Sequence, residues 1–342
     1  MCWRERIGDQ VKHSLVLRQS AAICAVLIGL CTSVTAQQTR KVARIGLLSP
    51  GNLQRQMQNP RVRAFFQGLR ELGWVEGKNL TIERRFANDQ LSQLDALAID
   101  LTALKVDVIV TAAFPSAKAA KSATTTIPIV ILDPGDPVGT GLVKSLARPG
   151  GNVTGISSIA PDLAAKRLQL LKEAATKISR VAVVFNNEIP PAEIAMKELE
   201  ITAGALKLDL ESMPVQSPSG FSNAFDVMTQ QHVDAVIVFA DPLTFSNSDT
   251  IVNFANRSRR PALYAAQEFV DAGGLMSYGP SYPNMFRRGA HFVDRILNGI
   301  KPADLPVEQP MQFDFVINLK TAKQIGLTIP PNVLARADRV IK

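Results

Sequence analysis

The sequence predicts an α/β fold of two lobes, each a parallel sheet with helices on both faces. Three observations lead there. Short β-branched apolar runs alternate with helical stretches from Lys41 onward. Landmarks of the first half return in the same order in the second. The chain beyond its first 36 residues is longer than one hydrophobic core usually serves, so two lobes are expected.

Val42 to Leu48 (VARIGLL) reads as a strand. Pro60 to Leu72 reads as an amphipathic helix with Phe65, Phe66, Leu69 and Leu72 on one side. Leu80 to Phe86 is a second strand and Leu91 to Leu104 a second helix. Val106 to Val110 (VDVIV) is a buried strand, followed by a helix from Ser116, and Ile127 to Leu132 (IPIVIL) is a fourth strand. Unbroken apolar strands between helices indicate parallel sheets covered on both faces. In the second half Ser179 to Phe185 matches Ala43 to Leu48, Val233 to Val238 (VDAVIV) matches Val106 to Val110, and Arg260-Pro261 before Ala262 to Tyr264 matches Ile127-Pro128 before Ile129 to Ile131. The offsets are nearly constant, as duplication of one βα unit requires.

Arg148 to Gly155 (RPGGNVTG) reads as a crossing between the copies. A second crossing is expected near Gly273-Gly274 to Pro283. The proline-rich tail from Pro302, with a strand over Gln312 to Ile317, is expected to return to the lobes. The expected division is 41–152 plus part of 280–342 for one lobe, and 153–279 plus part of 280–342 for the other.

Residues 1–36 read as an export signal. Arg4, Arg6, Lys12 and Arg18 form a basic head, Ala21 to Leu30 an apolar run, and Val34-Thr35-Ala36 a cleavage site. The run is shorter than the roughly 20 residues that span a bilayer. Cleavage near Ala36 and a periplasmic location follow as expectations; Cys31 offers the alternative of a lipid anchor, disfavoured by Leu30 before it. All three cysteines (Cys2, Cys24, Cys31) lie in this segment, so the remainder is expected to have neither disulfides nor thiolate chemistry. The segment holds four basic and two acidic residues, so its removal takes two from the net charge of +8 and leaves +6. The remaining charges are dispersed in small clusters (Arg84-Arg85, Arg257 to Arg260, Arg287-Arg288), without a nucleic-acid motif, and no nucleic-acid partner is expected.

In open parallel sheets ligands bind beyond the carboxyl ends of the strands. Those ends nominate Ser49, Phe114 and Ser116, and Asp136 in the first copy, and Asn186, Asp241 and Glu268 in the second, with Tyr278 on the later crossing. Ser116, with Pro115 before it, is expected to cap a helix and offer an anion site. Asp136 and Asp241 are candidates for an ammonium group, Phe114 and Tyr278 for stacking on an apolar ligand. Nothing nominates a catalytic residue, a metal site or a cofactor. His232 and His291 have no partners in sequence, and Gly135 to Gly141 (GDPVGTG) lacks the dinucleotide fingerprint.

The run Ile127 to Gly155 (IPIVILDPGDPVGTGLVKSLARPGGNVTG) resembles a family of ABC-transporter substrate-binding proteins that includes tryptophan- and tyrosine-type binding components. Arg44 to Leu48, Gly68 to Ile82 (GLRELGWVEGKNLTI) and Pro302 to Pro330, with Asn318 to Ala322, extend the resemblance over nearly all of the chain. The resemblance implies two Rossmann-like lobes in the type I periplasmic-binding-protein architecture, with several hinge crossovers. It implies a non-enzymatic receptor that closes on a small solute, best an amino acid or related carboxylate, and presents it as a monomer to an inner-membrane ABC permease. On that analogy Ser116 takes the carboxylate and Asp136 or Asp241 the ammonium. The segments after Asp241 (PLTFSNS), at Gln267-Glu268 and over Tyr278 to Tyr282 depart from the aromatic-amino-acid members, so ligand identity does not carry over. Two other readings share the lobe pair: a ligand sensor that signals through a membrane receptor, and a two-lobed enzyme such as a glycosyltransferase. A sugar-responsive repressor needs a DNA-binding helix pair before Lys41, where the export run stands.

Overall fold

The computed structural model describes residues 42–158 and 160–342; the export signal read over residues 1–36, with Cys31, lies outside the described residues. The first lobe runs β1 (Ala43–Ser49), α1 (Leu53–Gln58), α2 (Pro60–Glu71), β2 (Leu80–Phe86), α3 (Leu94–Ala103), β3 (Val108–Ala112), α4 (Ala113–Ala123), β4 (Ile129–Leu132) and β5 (Val153–Ile156). The second begins with α5 (Ala160–Ala174), β6 (Arg180–Phe185), α6 (Pro190–Leu206), β7 (Asp209–Pro214) and α7 (Gly220–Gln230). It continues with β8 (Ala235–Val238), α8 (Pro242–Ser246), α9 (Ser248–Arg257), β9 (Ala262–Tyr264), α10 (Gln267–Asp271) and β10 (Met276–Pro280). The chain then passes through α11 (Tyr282–Leu297), β11 (Phe313–Asn318), α12 (Leu319–Ile325), α13 (Pro331–Leu334) and β12 (Arg339–Ile341).

The strand order is β2-β1-β3-β4-β5 in the first sheet and β12-β11-β10-β9-β8-β6-β7 in the second. Strands β7-β6-β8-β9-β10 therefore repeat the order of the first sheet, the duplication read from the strand words. All pairings are parallel except β10 with β11. The apolar runs are continuous because both faces are covered. Val108 and Val110 of β3, with Val130 and Leu132 of β4, pack in one core with α2 and α11. Ile109, Ile129 and Ile131 alternate onto the other face with residues of α3 and α4. Each such side chain contributes about 1.5–3 kcal/mol by leaving water.

The repeated Val-Asp word has a structural cause. Asp107 Oδ2 accepts the Arg44 backbone N–H at 2.7 Å. Asp234 Oδ2 accepts the N–H groups of Ser179 and Arg180 at 2.7 and 2.9 Å. The device recurs at the end of the chain, where Asp338 Oδ2 accepts the Phe315 N–H at 2.7 Å. Each aspartate pins the start of the neighbouring strand and so sets its register. The backbone N–H bonds at Ser179 and Arg180 help hold the Asp234 carboxyl below its ordinary value against a partial burial that raises it. Asp234→Ala is expected to cost about 1–2 kcal/mol in urea unfolding at pH 7. The contribution is complete above the unfolded value near 3.9 and is lost as the pH falls through the folded value, so the difference between wild type and variant should shrink below about pH 4.

The structure moves several expected boundaries. Val153–Ile156 pairs with β4, so the first lobe extends through β5 and does not end at residue 152. Its strand hydrogen bonds outweigh the Pro-Gly-Gly turn that suggested a boundary just before it. The segment read as a crossing over 273–283 is largely β10, and the chain leaves the second sheet only after Pro280. Helix α11 then packs against α2 and on β3, β4 and β5 of the first lobe. A third crossing follows Glu308, which bridges to Ile156 before β11 rejoins the second sheet. The Leu91–Gln93 stretch is a 3-10 turn ahead of α3. Strand β7 went unread because it is an exposed edge without an apolar run.

Helix α4 starts at Ala113, three residues before the expected cap. Pro115 is tolerated in a first turn, where its missing N–H has no helical partner to lose. Ser116 consequently lies inside the helix, fully buried, and its Oγ donates back to the Ala112 carbonyl at 2.9 Å.

Candidate functional site

The carboxyl ends of β1, β3 and β4 face those of β8 and β9 across a cavity of about 350 Å³. Ser49, Phe114 and Asp133 line it from the first lobe. Arg167, Ile189, Phe239, Asp241, Phe245 and Glu268 line it from the second, and Tyr282 and Phe286 from the returning helix α11. Four phenylalanines and Ile189 make its walls apolar. Its charged groups are Arg55 at the exposed rim and Arg61, Asp133, Arg167, Asp241 and Glu268 further in.

Arg61 is the most heavily contacted of them. Its guanidinium donates to Glu268 Oε1 at 2.5 Å, joining α2 of the first lobe to α10 of the second. Its carbon lies 4.2 Å from the ring centre of Phe245 and 4.6 Å from that of Tyr282. Burial alone lowers its pKa, but Glu268 and the neighbouring Tyr282 and Asp133 outweigh that and leave it raised. A second bridge closes the rim. Arg55 donates to Ser246 Oγ at 2.6 Å and to Asp89 Oδ2 at 3.2 Å, and Ser246 donates to Asp89 Oδ1 at 2.8 Å. Two lobes are thus tied directly to each other on either side of the cavity.

Arg167 sits on α5 with 2% of its surface exposed. Its Nε donates to the Tyr278 carbonyl at 2.8 Å. Among the described residues its terminal nitrogens have no hydrogen-bond partner. Burial pushes its pKa down to about 10. Asp133 follows β4 in a left-handed conformation (φ 60°) and is half-buried. Desolvation raises its carboxyl to about 6 against the opposing pull of Arg61, Ser158 and Arg167. Tyr282 is 4% exposed, and burial raises its hydroxyl above the ordinary range.

The residues nominated from sequence divide. Ser49, Phe114, Asp241 and Glu268 line the cavity; Ser116, Asp136, Asn186 and Tyr278 do not. The Ser49 Oγ is buried without a partner among the described residues. Asp241 caps α8, its Oδ1 accepting the N–H groups of Leu243 and Thr244 at 2.8 and 3.0 Å. Its Oδ2 is buried and unpartnered, and desolvation raises the carboxyl to about 6. Ser116 is turned into its own helix, as described above. Asp136 serves its loop, Oδ1 accepting from the N–H groups of Val138 and Gly139 at 3.0 and 2.9 Å, the turn chemistry expected of Asp. Asn186 likewise accepts the Glu188 N–H at 2.9 Å. The Tyr278 ring packs against Phe313 and Phe315, leaving only its carbonyl to hold Arg167.

Four cavity groups escaped sequence reasoning: Arg61, Asp133, Arg167 and Tyr282. Two left a signal. Arg61 falls in phase with Phe65 and Leu69 on the buried face of α2. Arg167 stands among Leu163, Ala164, Leu170 and Leu171 on α5. A cation in phase with an apolar stripe is buried by the helix period, and a buried cation wants an anionic partner or ligand.

Among the described residues no group of three or more His, Cys, Asp or Glu is placed to hold a metal ion, and no helix is long and apolar enough to cross a membrane. A family model described as "ABC transporter substrate binding protein" matches residues 56–341. A "Tyrosine-binding protein" of Clostridioides difficile (strain R20291) is 27% identical over 266 residues, 78% of this chain and 76% of that one. A conserved domain protein of Vibrio cholerae has a crystal structure that superposes with a TM-score of 0.82 at 30% identity, over 88% of this chain and 100% of that one. An ABC domain from Streptococcus pneumonia in complex with L-Trp superposes with a TM-score of 0.81 at 29% identity, over 87% of this chain and 99% of that one.

Proposed function

The chain belongs to the ABC transporter substrate binding protein family, with the type I periplasmic-binding fold, and we propose that it is the exported receptor of an ABC importer, taking an amino acid with an aromatic or bulky apolar side chain between its lobes. The observation that carries this reading is the interlobe cavity. Its volume suits a molecule of amino-acid size, its walls are phenylalanine-rich, and charged groups of both signs lie within it. The tyrosine-binding relative and the L-Trp complex support the same ligand class.

The mechanism is capture without bond-making. Three chain crossings connect the lobes and serve as the hinge, a known class of domain motion. The Arg61–Glu268 and Arg55–Ser246–Asp89 bridges are the contacts that a closed arrangement makes and an open one breaks. The closed monomer then docks on a membrane permease from the periplasmic side.

Ligand that binds only the folded form stabilises it by RT ln(1 + [L]/Kd), about 2.7 kcal/mol at a hundredfold excess over Kd. A thermal-shift screen of the purified chain should show a rise of several degrees with L-tryptophan or L-tyrosine and none with ribose or other neutral sugars. A shift with a sugar and none with any amino acid refutes the ligand class while leaving the receptor role in place.

A further inference from the structure

We propose that the ligand enters as a zwitterion whose anionic end is taken by Arg167 of the second lobe and whose cationic end is taken by Asp133 of the first. The ligand is then itself the charge that joins the lobes; this deepens the receptor reading above and rests on it.

The argument is one of elimination among the cavity's charges. Arg55 is bonded to Ser246 and Asp89 at the rim, and Arg61 is committed to Glu268 through one terminal nitrogen and to the Phe245 and Tyr282 rings, its Nε being shut off from solvent. The Glu268 charge is paired by the same bond, through Oε1. Asp241 holds the start of α8 with one oxygen, while the other is shut off from solvent. Arg167 remains, 2% exposed, lining the cavity, with a single hydrogen bond through Nε and its terminal nitrogens unpartnered among the described residues. Asp133 remains opposite. Both line the same cavity, one from each lobe, and no ion pair joins them.

Such an arrangement is expensive in an empty cavity. A buried cation without a partner is strongly unfavourable, and a carboxylate a short way off does not relieve it without contact. A molecule carrying a carboxylate and an ammonium fills the gap with two charge-assisted hydrogen bonds, one to each lobe. A ligand with one pole satisfies one lobe and leaves the other's charge uncompensated.

The test uses isothermal titration of the purified chain with three probes of one shape: L-tryptophan, indole-3-propionate (no ammonium) and tryptamine (no carboxylate). Wild type should bind L-tryptophan and lose at least about 30-fold with each analogue, the low end for unpairing a buried charge. Asp133→Asn should weaken L-tryptophan by a similar factor while leaving indole-3-propionate within about threefold. Arg167→Gln should weaken L-tryptophan and spare tryptamine. If Arg167→Gln does not fold, as a melt of the unliganded variant will show, Asp133→Asn with the two carboxylate-bearing probes, L-tryptophan and indole-3-propionate, decides alone. Asp133→Asn that keeps full L-tryptophan affinity, or that weakens all three probes alike, overturns the assignment with the receptor reading intact. A wild-type chain that binds no amino acid overturns both.

Discussion

Arg61→Ala is expected to lower the stability of the folded chain by about 2–4 kcal/mol in urea unfolding and to weaken ligand binding at the same time. Three losses add. The variant strands Glu268, whose carboxylate then faces the cavity without its cation; breaking a buried pair from one side costs about 3–5 kcal/mol, less here because the Glu268 side chain keeps 26% of its surface in water. It removes the cation beside the Phe245 and Tyr282 rings, forfeiting cation–π contacts worth about 0.5–2 kcal/mol. It also removes a direct tie between α2 of one lobe and α10 of the other. Glu268→Gln should be milder, about 1–2 kcal/mol, since the guanidinium keeps both rings and an amide oxygen to donate to. Equal losses in the two variants would mean that the ion pair alone matters and the stacking contributes nothing. A stability loss with unchanged ligand affinity would make Arg61 a packing residue with no part in lobe closure.

Gly155→Ala should cost about 3 kcal/mol or more, or prevent soluble folding. Gly155 lies in β5 at φ 139°, a conformation that side chains rarely adopt. An added Cβ would stand 2.1 Å from the Ile131 carbonyl oxygen and 2.7 Å from its nitrogen. Both atoms belong to β4, which β3 and β5 hold from either side, so neither can retreat. The Gly155 carbonyl also accepts the Glu308 N–H at 2.9 Å, which ties β5 to the segment that precedes the third crossing. Gly73→Ala is the control. It too has a positive φ, of 87°, but nothing lies within 4 Å of the added carbon, and it should cost only about 1 kcal/mol. If both variants lose the same amount, backbone strain and not the collision with β4 is what the glycine avoids. The duplicate lobe repeats the device: a Cβ on Gly279 of β10 would stand 2.2 Å from the Ala265 carbonyl.

The strand words, their order and their duplication could be read in the chain because a strand buried on both faces must be apolar throughout, and that leaves a mark residue by residue. The Val-Asp repeats were legible for the same local reason: Asp107 and Asp234 act on the strand beside them. Turn-forming aspartates were legible as well, and this is why they misled. Asp136 carries the signal of an exposed polar loop residue, and it serves only its loop. Asp133, three residues earlier in the same loop, carries the same signal and reaches the cavity. Tyr278 and Tyr282 form a like pair, separated by which way β10 and the start of α11 turn them.

Composition, periodicity and the repeated words thus determined on their own that this is a duplicated α/β chain, and pointed to the strand ends where the cavity lies, since burial and hydrogen-bonding period are properties of each segment. Which side chains converge on the cavity was decided only by the packing of the two lobes and of α11 returning to the first. Arg61 and Glu268 stand 207 positions apart in the chain, and no local rule connects them. Their partnership exists because the fold buries Arg61, and desolvation makes a buried charge costly until a partner of opposite sign meets it.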